Sequence, residues 1–201
     1  MSPWRRPPRI QSEASHAAAL AALPLAPQVA AALAAYLDLL AAWSARVNLT
    51  GARSPQQRVE LLVADILPAA PLLEPGRLLD VGSGNGSPGL VLALLRPDLE
   101  ATLLEPRTRR WAFLREAARA VGRPDVRVYR VRHDGYAGPP ARNLTLRALD
   151  LPLAALDPLV VAGGQVLALG GSPTPAAAFR EERTFSLGRL MARVYRKRAD
   201  A

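Results

Sequence analysis

The sequence predicts an α/β protein in which an N-terminal helical extension precedes a parallel sheet. Between about residues 77 and 169, strand-like apolar runs alternate with helical segments, a pattern typical of parallel strands joined by right-handed crossovers. From Pro27 onwards, apolar residues recur alternately four and three positions apart, as they do on one face of a long helix. With 201 residues, the chain is long enough to bury a substantial core in one such domain.

The expected elements follow in order along the chain. Residues 1–14 are rich in arginine and proline and are expected to form a flexible basic arm. A helical cap over 15–75 contains a long helix from Pro27 and a second helix over about 55–70. A core over 76–201 is expected to form one compact unit with the cap. Its expected segments are strand 77–81, helix 88–95, strand 101–105, helix 108–121, strand 126–131, strand 143–148, helix 152–160, strand 165–169 and, over 184–195, two terminal antiparallel strands.

The first strand of the core ends in a glycine-rich loop that runs from Asp80 to Gly89. Glycines permit a tight turn and a close approach to a ligand, and Pro88 suits the first turn of the following helix. About twenty residues on, the next strand ends in Glu105, where nucleotide-binding folds place an acid that accepts hydrogen bonds from ribose hydroxyls. A tight turn without a ligand is the simpler alternative, but the order of strand, loop, helix, strand and acid favours a binding site.

The spacing within this loop indicates the class of ligand. Nicotinamide and flavin sites favour Gly-x-Gly-x-x-Gly, whereas here three glycines alternate from Gly82 and Asp80 lies two residues before them. No Gly-Lys-Ser/Thr follows, as a Walker loop requires. The pattern resembles the first motif of class I S-adenosylmethionine-dependent methyltransferases, which implies a Rossmann-like sheet and S-adenosylmethionine as cofactor. By that resemblance, the loop backbone holds the methionine end, and Asp80 holds the amino group through water.

Composition limits the chemistry further. The chain has 26 Lys+Arg against 17 Asp+Glu, and its net charge of +9 indicates an anionic partner such as nucleic acid. The absence of cysteine excludes disulfides, a thiolate nucleophile and a cysteine metal site, and two histidines are too few for a histidine cluster, so no metal is expected. No apolar run reaches membrane-spanning length and no signal peptide is recognisable, so we expect a cytoplasmic protein that does not use a membrane.

The predicted helix 108–121 lies in the most basic part of the chain. Nine arginines and two acids lie between Pro106 and Arg132. A solvated basic face and an RNA-facing surface both fit this excess, and the scarcity of aromatic residues favours RNA backbone or structured RNA over stacked single strands. The residues expected to form the buried side of the helix are Trp111, Leu114, Ala118 and Val121. The predicted RNA-binding residues are Arg110, Arg115, Arg119 and Arg123.

Further motifs lie on both sides of the glycine loop. They are Tyr36-Leu37-x-Leu39-Leu40-x-x-Trp43, Asn48-Leu49-Thr50, Leu94-x-Arg96-Pro97-Asp98, Arg110-x-Ala112-Phe113-Leu114-Arg115-Glu116, Arg147-Ala148 with Pro152-Leu153, and Gly163-Gly164. Together with the loop, they resemble the RsmG (GidB) family, bacterial enzymes that methylate N7 of a guanine in small-subunit ribosomal RNA. The resemblance runs from about residue 30 to 171.

The resemblance implies methylation of guanine N7 in 16S ribosomal RNA, as naked RNA or in the small ribosomal subunit, and we expect a monomer. It implies that Asp134 binds the adenine amine and that Arg132 and Arg147 are catalytic residues that orient the base or a phosphate. Guanine N7 has a free lone pair and no proton to lose, so the transfer needs positioning rather than a base. The predicted cofactor-binding residues are Asp80, Gly82, Ser83, Gly84, Gly86, Gly89, Glu105 and Asp134.

The chain departs from the family pattern at several positions, of which three bear most on activity. A histidine of the second helix is replaced by Leu62, an aromatic residue near the cofactor by Ser87, and a lysine expected near the guanine by Gly170. These departures leave an alternative open. In that alternative the chain is a degenerate, non-catalytic family member that binds S-adenosylmethionine or rRNA as an assembly or regulatory factor.

Overall fold

Seven strands form the central sheet of the computed structural model, which describes residues 15–199; the predicted arm over residues 1–14 lies outside these residues. Their spatial order is 3-2-1-4-5-7-6 when they are numbered along the chain. The first five run parallel, and the seventh runs antiparallel to both of its neighbours. The strands are β1 (Gly76–Val81), β2 (Leu99–Leu104), β3 (Arg127–Tyr129), β4 (Ala141–Arg147), β5 (Val160–Leu169), β6 (Phe179–Leu187) and β7 (Leu190–Lys197).

Three helices form the N-terminal cap and three connect strands of the sheet. The long cap helix begins with Pro27, whose fixed φ and missing N–H suit a first helical turn. The third helix of the cap begins with a capping box between Ser54 and Gln57. No helix within residues 15–199 is both long enough and apolar enough to cross a membrane. The helices are α1 (His16–Leu20), α2 (Pro27–Ser44), α3 (Pro55–Val59), α4 (Gly89–Leu95), α5 (Thr108–Ala120) and α6 (Leu153–Leu156).

The predicted fold class is confirmed, including the two antiparallel strands at the end of the chain. Helix α1 was not predicted, since only one short apolar turn marks it in the sequence. The predicted helix 55–70 is broken, because α3 continues into a wide π turn (Glu60–Ala64) and then a 3-10 segment (Leu67–Leu72). The predicted helix 152–160 ends early at α6, because Pro158 has no N–H with which to continue it and β5 begins at Val160.

The larger hydrophobic core lies between the cap and the sheet. Buried residues of α2, such as Leu33 and Leu37, belong to the same cluster as Leu78 of β1 and Leu103 of β2. A smaller cluster beneath α6 covers the opposite face of the sheet. The cap therefore lies on one face of the sheet, beside the loop that follows β1. The spatial order of the strands reverses between β1 and β4, and ligands bind at such a switch point in open α/β sheets.

Candidate cofactor cleft and basic face

The loop after β1 turns sharply at its glycines. Gly82, Gly84 and Gly86 have φ angles of 71°, 54° and 94°, which lie in the left-handed region that favours glycine. The backbone N–H groups of Gly82 and Ser83 both donate to the carbonyl oxygen of Leu104, at 2.9 and 3.0 Å. A Cβ on Gly82 would lie 3.0 Å from a methyl group of Leu149. The glycines thus let the loop bend back over the end of β2 while its backbone faces an open cleft.

Asp80 lies beneath this loop rather than in the cleft. Its carboxylate is 1% exposed and accepts a hydrogen bond from Thr145 Oγ1 at 2.7 Å, because Thr145 is its register partner on β4. Burial raises the pKa of Asp80 to about 6. A Cβ on Gly89 would lie 2.5 Å from Asp80 Oδ2, so the glycine at the start of α4 makes room for the carboxylate. Asp80 therefore supports the loop from below, and its predicted contact with a ligand amino group stays a prediction.

Glu105 joins the end of β2 to the glycine loop. Its side chain is 3% exposed; Oε2 accepts a hydrogen bond from the backbone N–H of Gly84 at 3.0 Å, and Oε1 accepts one from that of Arg107 at 2.8 Å. An ionised carboxylate has about four lone-pair sites, so two acceptor positions remain for a ligand. Glu105 lines the cleft, as its predicted ribose-binding role requires.

Two adjoining cavities lie at the carboxyl ends of β1, β2 and β4. The first has a volume of about 370 Å³ and the second about 390 Å³. They share Gly82, Arg110, Arg147 and Ala148 as lining residues. Residues that line only the first cavity include Glu105, Arg132, His133, Leu149 and Leu151. Residues that line only the second include Leu49, Thr50, Leu62, Ser83, Gly84, Asn85 and Ser87.

Arg147 fastens the end of β4 to both the loop and the cap. Its Nη1 donates to Ser87 Oγ at 2.9 Å, and its Nη2 donates to the carbonyl oxygen of Leu61 at 2.8 Å. Ser87 in turn donates to the carbonyl oxygen of Leu62 at 2.8 Å. Burial lowers the pKa of Arg147 from its usual value. Ser87, which departs from the family pattern, is thus a fully bonded link between the loop and the π turn of the cap.

The cap also holds the loop at contacts that the sequence did not single out. The hydroxyl of Tyr36 donates to the carbonyl oxygen of Asn85 at 2.8 Å, and Asn85 Nδ2 donates to the carbonyl oxygen of Leu49 at 3.0 Å. Arg110 Nη2 donates to the carbonyl oxygen of Asn48 at 3.0 Å. Tyr36 and the Asn48-Leu49-Thr50 segment are among the motifs of the resemblance; Tyr36 holds the loop from within the core, and Leu49 and Thr50 line the second cavity.

The two charged residues after β3 lie at different places. Arg132 lines the first cavity with a side chain that is 68% exposed, so it is free to meet a large ligand at the rim. Asp134 is 63% exposed, forms a 3.6 Å ion pair with Arg132 and does not line the cavity. His133, between them, does line it. The structure brings Arg132 and Arg147 to one cleft, but it leaves Asp134 outside that cleft.

Helix α5 presents an open basic face beside the cleft. Trp111 is half-buried, so the expectation that it belongs to the buried side is wrong; Phe113 and Ala117 are buried there with Leu114 and Ala118. The indole N–H donates to the carbonyl oxygen of Val128, which fixes the ring. The guanidinium groups of Arg115 and Arg130 lie 4.9 and 5.9 Å from the ring centroid. An open depression of about 640 Å³ is lined by Trp111, Ala112, Arg115, Glu116, Arg119 and Ala120.

Arg123 does not continue this face, contrary to the prediction. Helix α5 ends at Ala120, and the side chain of Arg123 is only 13% exposed. Its guanidinium forms an ion pair with Asp125 at 2.8 Å and donates to the carbonyl oxygens of Ala93 and Leu99. Arg123 therefore binds the C-terminal end of α4 and the start of β2 to the turn after α5, and RNA cannot use a guanidinium held in this way without disrupting the fold.

Two solved structures, one holding S-adenosylmethionine and one described as a methyltransferase, share the fold of this chain. A mutant of MtNAS in complex with S-adenosylmethionine has a TM-score of 0.58 and 15% identity, with 94% of this chain and 86% of that chain covered. A SAM dependent methyltransferase from Aquifex aeolicus has a TM-score of 0.55 and 18% identity, with 69% of this chain and 91% of that chain covered. At these identities, the likeness shows the fold alone. The fold is the Rossmann-like one of S-adenosylmethionine-dependent methyltransferases.

Sequence comparison narrows this class to one family. The family model GidB, described as rRNA small subunit methyltransferase G, matches residues 29–193. The chain belongs to this family, which confirms the resemblance seen in its motifs. Relatives named ribosomal RNA small subunit methyltransferase G include one from Xanthomonas axonopodis pv. citri, 40% identical over 71% of this chain, and one from Dichelobacter nodosus, 41% identical over 57%. The alignments cover 66% and 55% of those relatives, so the matched part is slightly less than two thirds of the first and just over half of the second.

Proposed function

We propose that the protein transfers a methyl group from S-adenosylmethionine to N7 of a guanine in 16S ribosomal RNA. The observation that carries this proposal is the cleft itself, in which two cavities meet at Gly82, Arg110, Arg147 and Ala148. The first cavity is lined by Glu105 at the end of β2, and the second is lined by most of the glycine loop. A cofactor with a nucleoside at one end and an amino acid at the other fits this division, and membership of the family supplies the reaction.

The residues of the cleft suit such a cofactor. The nucleoside belongs in the first cavity, where Glu105 keeps acceptor positions for ribose hydroxyls and Leu149 and Leu151 offer an apolar wall for a base. The amino-acid end belongs in the second cavity, along the backbone of Gly82, Ser83 and Gly84. The junction between the cavities is then the place for the reacting methyl group.

The proposed reaction requires no general base from the protein. The cofactor supplies a methyl group on a positively charged sulfur, and the lone pair of guanine N7 displaces that sulfur in line. No proton has to be removed, so the catalytic contribution of this chain is to align the two reactants. Arg147 borders both cavities in a fixed position, and Arg132 extends from the rim; we assign them to the orientation of the guanine or its phosphate.

The basic face of α5 is proposed to bind the rRNA. Arg115, Arg119 and Arg130 are exposed and form no ion pair with a described residue, so their charges are available to phosphates. Arg115 and Arg130 lie against the ring of Trp111, which limits the freedom that each loses on binding. The face borders the cleft through Arg110, so RNA bound there lies beside the reacting atoms. We propose that the protein acts in the bacterial cytoplasm as a monomer, on rRNA alone or in the small subunit.

Glu105→Gln tests the cofactor assignment. Replacing the carboxylate with an amide keeps its volume but removes the charge and half of its acceptor capacity, so we expect S-adenosylmethionine to bind at least about tenfold more weakly. Calorimetric titration measures the affinity, and tritiated methyl transfer measures the activity that should fall with it. Glu116→Gln on the exposed side of α5 is the matched control, with unchanged cofactor binding. Undiminished binding to Glu105→Gln would refute the ribose role of Glu105.

A further inference from the structure

Arg110 occupies a position that its neighbours on the basic face do not share. It is half-buried, borders both cavities and lies in the first turn of α5. Its Nη1 lies 3.7 Å from the point that a Cβ on Gly84 would occupy, so the guanidinium stands over the glycine loop. Arg109, one residue earlier, is exposed and lines neither cavity.

The guanidinium of Arg110 is also incompletely bonded. Of its five N–H donors, one is used by the carbonyl oxygen of Asn48, and no carboxylate oxygen of a described residue lies within 4.0 Å of it. A half-buried cation without an anionic partner favours an anionic ligand.

Arg147, the other cation that borders both cavities, is less suited to this role. Both of its terminal nitrogens already donate hydrogen bonds, one to Ser87 and one to Leu61, and these bonds hold the loop and the cap together. An anion that entered the second cavity would have to break them to pair fully with Arg147. Arg110 has Nη1 free and directed over the loop, so it meets the same anion without any such loss.

We infer that Arg110 binds the α-carboxylate of the cofactor and therefore belongs to the cofactor site rather than to the RNA-binding face. This inference rests on the proposed use of S-adenosylmethionine, whose amino-acid end carries a carboxylate. The fork of the guanidinium and the two oxygens of the carboxylate form a charge-assisted pair across the mouth of the second cavity. The bond from Arg110 to Asn48 keeps the guanidinium in place for this contact, so the cap contributes indirectly to cofactor binding.

Binding of two cofactor analogues to Arg110→Met tests the inference. Methionine keeps the aliphatic packing and removes the charge. We expect the dissociation constant for S-adenosylmethionine to rise at least about tenfold, while decarboxylated S-adenosylmethionine, which lacks only the carboxylate, binds wild type and variant within about twofold. Arg109→Met is the matched control and should leave both affinities unchanged. Calorimetry gives the affinities, and the thermal midpoint of each variant shows that it is folded.

Other binding results would overturn either the role of Arg110 or the proposed function. Equal weakening of both ligands would mean that Arg110 only props the Asn48 segment, and unchanged binding of both would mean that it takes no part; either result overturns the inference. Arg110→Lys keeps the positive charge, so its affinity for S-adenosylmethionine should lie between those of wild type and Arg110→Met, while its affinity for the decarboxylated form should match both. Failure of the wild-type protein to bind S-adenosylmethionine would instead refute the proposed function, before any variant is considered.

Discussion

The exposed arginines of the α5 region and the paired arginines of β4 and β7 serve different purposes. On α5 and just after β3, Arg115, Arg119 and Arg130 are exposed and have no ion-pair partner among the described residues. On β4 and β7, Arg142 and Arg196 both pair with Glu74, and Arg196 also pairs with Glu182. A net charge of +9 therefore does not by itself define an RNA-binding surface. The partner of each arginine decides whether its charge holds the fold together or remains available to a phosphate.

Replacing one arginine of each kind by alanine tests whether burial and pairing decide its contribution to stability. Arg123→Ala removes an ion pair to a largely exposed carboxylate and two hydrogen bonds to backbone carbonyl oxygens, so we expect the free energy of unfolding to fall by about 2 kcal/mol. Arg119→Ala, on the open face, should change it by less than about 0.5 kcal/mol. Urea unfolding followed by circular dichroism measures both. Equal losses would show that exposure and pairing do not separate the two groups.

A second prediction concerns the open face itself. The triple substitution of Arg115, Arg119 and Arg130 by alanine removes three available charges, so affinity for a 16S rRNA fragment should fall by between about tenfold and a hundredfold. The salt dependence of the binding constant should also flatten, because fewer counterions are released. Fluorescence anisotropy at several salt concentrations measures both quantities. Arg180→Ala with Arg183→Ala, on β6, is the control on the other side of the sheet; a similar loss there would place the RNA elsewhere.

The smallest expected effect on stability concerns Glu74, which pairs with Arg142 and Arg196. Burial of Glu74 works to raise the pKa of its carboxyl, but hydrogen bonds from Arg196 and Arg142 outweigh it, so the pKa lies below its usual value. A lowered carboxyl pKa gives stability that is present above the unfolded pKa of 4.5 and is lost as pH falls through the folded value. Because the side chain is 31% exposed, solvent screening limits this contribution to less than about 1 kcal/mol.

Glu74→Gln is therefore expected to lower stability at pH 7 and to lose less of it than wild type does between pH 5 and pH 3. Urea unfolding at several pH values measures the difference between the two curves. Parallel curves would show that the pairing of Glu74 contributes nothing that depends on its charge.

The parts of the fold that follow from local patterns were predictable. The order of strands, glycine loop and strand-end acid gave the sheet and placed Glu105 at the cleft. The orientation of α5 was not fully predictable, because Trp111 and Phe113 are both apolar and only packing against α2 decides which is buried. Arg123 lies four residues after Arg119, a spacing that suggests a shared face, but α5 ends at Ala120, close to the predicted end at residue 121, so Arg123 lies beyond the helix and pairs with Asp125.

In the cleft, likewise, the local sequence does not determine which way a side chain points. Asp80 precedes the glycines as a ligand-binding acid would, yet the register of β1 and β4 turns its carboxylate toward Thr145 and away from the cavity. Asp134 was placed by resemblance, and the short turn after β3 leaves it outside the cleft. Contacts between distant segments, such as those from Tyr36 and Arg147 to the loop, depend on tertiary packing that no local pattern records.

Methyl transfer to the small ribosomal subunit tests the central claim most directly. Tritiated S-adenosylmethionine is incubated with the protein and with subunits from a strain that lacks the modification, and borohydride–aniline cleavage then locates N7-methylguanine. We predict incorporation and a single cleavage in 16S rRNA, which would also show that a lysine at the position of Gly170 is dispensable. Absence of incorporation by a preparation that binds the cofactor would contradict the claim and indicate the non-catalytic alternative, a binding protein on a methyltransferase scaffold.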